Sequence, residues 1–136
     1  MKKLILIAVL IILAGTIFGQ NFKKGNFVGF HEMTITLNPN VTIDQYLDVW
    51  KNKLIPEFEK NLQCKAYIGK AIRGKCENCY SSIAVWKSAA VRDKFFTQKG
   101  GTNDLGKVAM KKMQPVLDEL EKLGSYTSTY TDWIIQ

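Results

Sequence analysis

Histidine, cysteine and proline are scarce in this chain of 136 residues, which contains one, three and three of them, respectively. A structural zinc site needs four ligands of the cysteine or histidine type. The chain offers no second closely spaced pair, and its candidate ligands outside the N-terminal segment are Cys64, Cys76, Cys79 and His31. A Gly-rich phosphate loop, a Ser/His/Asp triad and a metal-spaced histidine cluster are also missing. The sequence therefore disfavours a metal site and implies no cofactor.

Long runs of one charge are missing too. The formal net charge is +7, yet no run of basic residues is longer than two. Basic side chains that are spread in this way are typical of solvated faces and not of a nucleic-acid-binding patch. We therefore expect no nucleic acid partner.

One long apolar run is present, and it lies at the N-terminus. Lys2 and Lys3 precede an unbroken apolar stretch at 4–13, and small residues follow up to Gly19. This pattern is typical of a secretory signal peptide at 1–19, with cleavage before Gln20. The apolar run is shorter than the roughly 20 residues that span a bilayer, which disfavours the alternative of an uncleaved anchor. We expect a secreted or periplasmic protein without a stable membrane anchor after cleavage.

The rest of the chain divides into a short polar leader at 20–26 and one domain at 27–136. Alternating and helical apolar patterns predict its elements. In chain order these are a strand at 30–37, a helix at 42–61 that is kinked at Pro56, strands at 64–74 and 80–88, helices at 89–98 and 104–123, and a strand at 126–135. This order predicts an α+β, ferredoxin-like split βαβ fold, in which a four-stranded antiparallel sheet carries its helices on one face.

The opposite face of that sheet is predicted to be open. The residues that we assign to it are rich in rings and also include charged groups: Phe30, Tyr67, Trp86 and Tyr130, with Glu32, Arg73 and Asp132. An exposed apolar patch of this kind usually meets a partner. We therefore expect a homodimer that pairs sheet to sheet. The candidate ligand-binding residues on this face are Tyr67, Trp86, Tyr130 and Arg73.

Three segments, together with the element order, resemble the dimeric α/β-barrel superfamily. They are LIPEFEK at 54–60, SAAVRDKFF at 88–96 and YTDWIIQ at 130–136. That superfamily includes antibiotic-biosynthesis-type monooxygenases and stress-responsive α/β-barrel proteins, and the resemblance covers 27–136. It implies two protomers that form a barrel whose interior can hold a small ligand. Some relatives oxidise or rearrange aromatic substrates without a cofactor and others bind haem, so the fold does not choose among activities.

Cys76 and Cys79 form a CxxC motif between the second and third predicted strands. A thioredoxin-type site would place its first cysteine at a helix N-terminus, whereas this pair flanks a predicted two-residue hairpin tip, Glu77 and Asn78. Facing strand residues lie about 5.5 Å apart between their Cα atoms, which a disulfide tolerates. We therefore predict a Cys76–Cys79 disulfide in an oxidising compartment. Cys64 is then either a buried small side chain or half of an intermolecular bond.

Three residues are weak candidates for proton transfer. His31 is a possible general base or haem ligand, or it simply packs beneath a helix. Glu32 and Asp132 lie on strands that are neighbours in this fold, where two carboxyl groups can share one proton and act as a base. The alternative is that they form salt bridges with Arg73 or Lys70.

The function that these features favour is that of an exported dimer that binds a small apolar or aromatic ligand, or that serves as an assembly module. The first alternative is a cofactor-independent monooxygenase or isomerase, and the second is a haem-binding protein. The sequence does not decide whether the protein is an enzyme.

Overall fold

The computed structural model describes residues 22–76 and 79–136. The predicted signal peptide at 1–19 and the predicted hairpin tip at 77–78 lie outside these residues. Among the helices of the two described ranges, none is both long and apolar enough to cross a membrane.

The elements follow the predicted order, with changes in their lengths. The structure contains β1 (Phe27–Leu37), α1 (Ile43–Val49), a π-helical turn (Trp50–Leu54), α2 (Ile55–Leu62), β2 (Cys64–Lys70), β3 (Tyr80–Trp86), α3 (Ala89–Arg92), α4 (Asp104–Leu123) and β4 (Gly124–Ile134). The second strand ends four residues earlier than predicted, and α3 is much shorter than the predicted helix at 89–98. The first predicted helix is interrupted by the π-helical turn just before Pro56, whose missing N–H weakens regular helical bonding there. By contrast, α4 runs through Pro115 as one helix.

The four strands form one antiparallel sheet in the order β2-β3-β1-β4. β1 lies at the centre and pairs with β4 along its whole length, from Phe27 opposite Ile134 to Leu37 opposite Gly124. The α+β, ferredoxin-like fold that the sequence predicted is therefore the fold of this chain.

The helices cover one face of this sheet, which we call the helix-side face. Side chains alternate between the two faces along a strand, so Phe27 and Met33 of β1 point to the same side. Phe27 packs with Met113 of α4 in one buried cluster, and Met33 packs with Tyr46 and Trp50 in another. These two clusters form the core between the sheet and the helices.

Two rings that were predicted for the open face lie on the helix-side face instead. Trp86 pairs with Phe27 in the ladder and is 4% exposed, and Tyr130 pairs with His31. Asp132, two residues after Tyr130, shares the helix-side face with them. The prediction for these three residues was wrong. The alternation of side chains within one strand does not fix how that strand is aligned with the neighbouring strand, and a shift of one residue moves its side chains to the other face.

The opposite face, which we call the open face, has an apolar region even without Trp86 and Tyr130. Phe30 and Tyr67 are there as predicted, with Tyr67 46% exposed, and Trp133 of β4 is 59% exposed. Glu32 is also on this face. Arg73 lies in the segment after β2, outside the sheet, so its predicted place on this face was wrong.

The structure contains the predicted disulfide, with the Cα atoms of Cys76 and Cys79 5.5 Å apart. Its setting differs from the prediction, because the N–H of Ala71 donates to the carbonyl of Cys79 at 2.8 Å. Cys79 therefore lies opposite Ala71. The disulfide lies within the connection at 71–79 and does not join two strand residues that face each other. Cys64 is a buried free thiol, whose pKa is raised to about 12, chiefly by burial.

Candidate functional site

A cavity of about 260 Å³ lies between the helix-side face of the sheet and the segment that connects α3 to α4. We call it the sheet–loop cavity. Rings and very small residues form its walls: Gly29, His31, Ala84, Trp86, Phe96, Gly100 and Tyr130. Mostly apolar walls with a few polar groups are characteristic of small-molecule sites. The cavity lies within one protomer, so the expectation of a ligand between two paired sheets does not describe it.

Gly29 near the start of β1 keeps this space open. A Cβ atom at this position would lie 3.2 Å from Cζ3 of Trp86 and 3.2 Å from the hydroxyl oxygen of Tyr130. On β3 the residue paired with Gly29 is Ala84, which is also small. The sheet therefore presents a shallow floor between two large rings.

The wall opposite the sheet is a loop that its own hydrogen bonds hold in place. Asn103 caps α4 by accepting from the N–H of Gly106 at 3.0 Å, and its amide nitrogen donates to the carbonyls of residues 93 and 94. The N–H of Thr97 donates to the carbonyl of Gly101 at 2.7 Å. Gly100 takes the left-handed conformation with a φ of 87°, which costs glycine little. These bonds fix the loop that carries Phe96 and Gly100 over the sheet.

A buried cation lies behind the Phe96 wall. Arg92 at the end of α3 is 3% exposed, and its guanidinium carbon lies 5.3 Å and 5.4 Å from the ring centroids of Phe27 and Phe96. Its Nη1 donates to the carbonyl of Thr97 at 2.7 Å and to Oδ1 of Asp93 at 3.1 Å. Burial alone would lower the pKa of Arg92, but hydrogen bonds that involve Tyr130 and Asp93 and the charge of Asp132 raise it overall.

Asp132 connects this cation to the cavity. Its Oδ2 accepts from Nη2 of Arg92 at 3.3 Å, and its Oδ1 accepts from the hydroxyl of Tyr130. The pKa of Tyr130 is raised to about 12 by burial and, next, by this hydrogen bond to Asp132. Tyr130 therefore keeps its proton at neutral pH.

His31 lies beside Tyr130 on the same wall. The two ring centroids are 4.5 Å apart, and Nδ1 of His31 is 3.4 Å from Oγ of Ser128. Burial lowers the pKa of His31, while the charge of Asp132 raises it by a smaller amount. The imidazole is therefore neutral at neutral pH and is able to accept a proton.

The structure brings together some of the predicted site residues and separates others. His31, Trp86 and Tyr130 line the cavity, and Asp132 lies directly behind Tyr130. Tyr67 is on the open face and Arg73 is outside the sheet, so neither faces the cavity.

The paired-carboxylate hypothesis was wrong. Glu32 pairs with Ser81 and Thr129 on the open face, whereas Asp132 is on the helix-side face. The cation that binds Asp132 is Arg92, and neither Arg73 nor Lys70 takes this place. Because the two carboxylates lie on opposite sides of the sheet, they cannot share a proton.

Sequence reasoning missed Arg92 and Gly29, which shape the site most. Gly29 interrupts an apolar strand pattern, and a glycine inside a strand signals close approach of another group. Arg92 begins a run of three charged residues, RDK at 92–94, between Val91 and Phe95. Such a run is typical of a solvated face and gives no sign of burial, and the partner that pairs with Arg92, Asp132, is 40 residues away in the sequence.

No protein family model matches the chain, and no curated protein matches it either. Solved structures give weak similarities. Two are structures of SnoaB, described as a cofactor-independent oxygenase from Streptomyces nogalater. A mutant form of it is 14% identical, with 79% of this chain and 91% of that chain covered and a TM-score of 0.46. The other form is 13% identical, with 82% and 94% covered and a TM-score of 0.44.

A third solved structure is described as a dimeric protein of unknown function with a ferredoxin-like fold from Bacteroides fragilis. It is 12% identical, with 85% of this chain and 100% of that chain covered and a TM-score of 0.43. Identities this low say nothing about the activity of the present chain.

His31 is the only histidine of the chain, so one imidazole signal in a ¹H–¹³C NMR titration reports its protonation. We predict a midpoint below 6.5, because burial disfavours the imidazolium. Asp132→Asn should lower the midpoint further, since it removes the negative charge that raises the pKa. A midpoint at or above 6.5 in the wild type would contradict this description of the site.

The same shift gives a pH dependence of stability. Since the folded state holds the proton less tightly than the unfolded state, His31 stabilises the fold above pH 6.5, and this contribution is lost as the pH falls through the folded-state pKa. Urea unfolding at several pH values measures this effect. As the pH falls over that range, His31→Gln should lose less of its free energy of unfolding than the wild type.

Proposed function

We propose that the protein binds a small aromatic or apolar molecule in the sheet–loop cavity. The observation that carries this proposal is the space above Gly29, which is bordered by the rings of Trp86, Tyr130, Phe96 and His31. Its volume of about 260 Å³ lies just below the roughly 300–1,000 Å³ of drug-sized sites. A ligand of one or two rings is therefore the size that suits it.

A second candidate is catalysis without a cofactor, by a monooxygenase or isomerase type of reaction. It is favoured by the neutral imidazole of His31 at the cavity wall, which can take a proton from an acidic phenol or enol. Tyr130 is the other polar side chain among the lining residues. Binding stays the primary proposal, because one base does not by itself define a reaction.

Haem binding does not fit this site. A porphyrin is much larger than a molecule of two rings, and the cavity holds about 260 Å³. The ring of His31 is stacked beside Tyr130, and its Nδ1 lies near Ser128. We derive no haem chemistry from this arrangement.

Gly29→Ala tests the binding proposal, with indole as the probe. The added methyl group would meet the rings of Trp86 and Tyr130 at 3.2 Å, so we expect the affinity for indole to fall by at least about tenfold, with roughly 1–3 kcal/mol of overpacking cost to stability. The measurement is an NMR titration of folded protein.

Gly101→Ala is the matched control, because its Cβ would meet only Oγ1 of Thr97 at an ordinary 3.6 Å. It should bind indole like the wild type. If folded Gly29→Ala also bound indole like the wild type, the proposed cavity would not be the binding site.

We also propose that two copies associate through the open face. Two neighbouring rows of the sheet place apolar side chains side by side there: Tyr67, Ile83 and Phe30 in one row, and Val85, Val28 and Trp133 in the other. Burying apolar surface stabilises a protein by roughly 25 cal/mol for each Å² removed from water. A sheet face that stays exposed forgoes this stabilisation. A two-fold dimer covers such a surface with one self-complementary patch.

Tyr67→Glu should shift the protein toward monomer. It places a charge in the proposed apolar interface, and we expect the dimer dissociation constant to rise by at least about tenfold. Light scattering over a range of concentrations measures it. Leu105→Glu on α4 is the control, since Leu105 is 51% exposed against 46% for Tyr67 but lies on the helical side. A wild type that stays monomeric at high micromolar concentration would refute the dimer.

Export to a secreted or periplasmic location is the last part of the proposal. It is supported by the basic and apolar N-terminal sequence and by the Cys76–Cys79 disulfide, since disulfides persist in oxidising compartments. Intact-mass analysis of protein exported by a bacterial host should show the loss of residues 1–19. Leu6→Arg, which puts a charge into the apolar run, should block export. A full-length, membrane-embedded wild type would show instead that the segment is an anchor.

A further inference from the structure

The polar end of the sheet–loop cavity is built to accept hydrogen bonds. We propose that the chain of contacts from Arg92 through Asp132 to Tyr130 makes the cavity selective for neutral aromatic molecules that carry an N–H or O–H donor. This inference rests on the proposed function, because it names the chemical class of the ligand that the cavity binds.

The first step is the fixed position of Arg92. A guanidinium has donors only, and two of its contacts are anchored in the segment that follows α3, at Asp93 and the carbonyl of Thr97. The guanidinium of Arg92 also packs against the rings of Phe27 and Phe96. Nη2 of Arg92 is therefore held toward β4, where it donates to Asp132.

The second step is the orientation of Asp132. An ionised carboxylate only accepts hydrogen bonds, and here one oxygen accepts from Arg92 while the other accepts from the hydroxyl of Tyr130. The single proton of Tyr130 is thus committed to Asp132. What remains on the Tyr130 oxygen is acceptor capacity, which faces the guanidinium of Arg92 on one side and the space above Gly29 on the other.

The third step is that this oxygen borders the cavity. It lies 3.2 Å from the position that a Cβ atom on Gly29 would take, and Gly29 is the floor of the cavity. A ligand above Gly29 therefore meets an oxygen that accepts but does not donate. If the polar atom of the ligand is only an acceptor, its lone pairs face the lone pairs of the Tyr130 oxygen, and no hydrogen bond forms between them.

His31, the other polar group of the wall, does not impose this selection. Its Nδ1 faces the hydroxyl of Ser128, and a hydroxyl is able to donate or accept. The imidazole can therefore take either tautomer to suit the ligand. Discrimination between donors and acceptors rests on Tyr130.

Indole and benzofuran form a matched pair of probes for this inference. They share one bicyclic shape, but indole carries an N–H donor where benzofuran carries an acceptor oxygen. We expect the wild type to bind indole roughly three- to tenfold more tightly, which is the usual net effect of one hydrogen bond. NMR or calorimetric titration of both compounds measures the ratio.

Two variants separate the proposed role from a structural one. Tyr130→Phe removes the acceptor and should bring the two affinities close together. Asp132→Asn should reverse the preference, because Arg92 draws the amide oxygen and leaves the amide NH₂ to donate to Tyr130. The hydroxyl proton of Tyr130 then turns into the cavity and favours benzofuran. Circular dichroism checks that each variant is folded, and Tyr130→Phe suffices if Asp132→Asn does not fold.

The outcomes distinguish this inference from the function on which it rests. Equal wild-type affinities, or a preference that Tyr130→Phe leaves intact, would overturn the inference while binding in the cavity stands. If neither compound bound the wild type, the proposed function would fail and this inference with it. Tighter binding of indole that disappears in Tyr130→Phe would support both.

Discussion

The register of β1 against its two neighbours is the constraint on which the rest of the structure depends. With Phe27 opposite Trp86 and Ile134, every second residue of the central strands faces the helices. A slip of one residue on either side would carry a whole strand's side chains to the other face. This pairing places Gly29 at the floor of the cavity and Tyr130 at its wall, so the site is a consequence of strand register more than of any single side chain.

The buried Arg92 adds a second constraint, because an unpaired charge in the interior costs several kcal/mol. Its partners come from separate parts of the chain, namely Asp93 beside it, the carbonyl of Thr97 in the loop and Asp132 on β4. The need to satisfy one guanidinium thus ties the loop over the cavity to the edge strand of the sheet. The same contacts set the direction in which the hydroxyl of Tyr130 points, which connects the stability of the fold to the chemistry of the cavity.

The two faces of the sheet divide the proposed roles between them. The cavity lies on the helix-side face within a single protomer, and the open face carries the apolar rows proposed to meet a second copy. Because side chains on opposite faces do not touch, a substitution such as Tyr67→Glu should alter association and leave indole binding unchanged. The two proposed roles, ligand binding and assembly, are therefore separable by substitution.

Local patterns in the sequence determined the element order, the ferredoxin-like topology, the apolar character of one exposed sheet face and the pairing of Cys76 with Cys79. Periodicity and short spacings carry such information because they depend on neighbours along the chain. The sides taken by Trp86 and Tyr130 depend on strand register, and the burial of Arg92 depends on a carboxylate 40 residues away. The cavity exists only where those long-range contacts are made, and tertiary structure alone decided it.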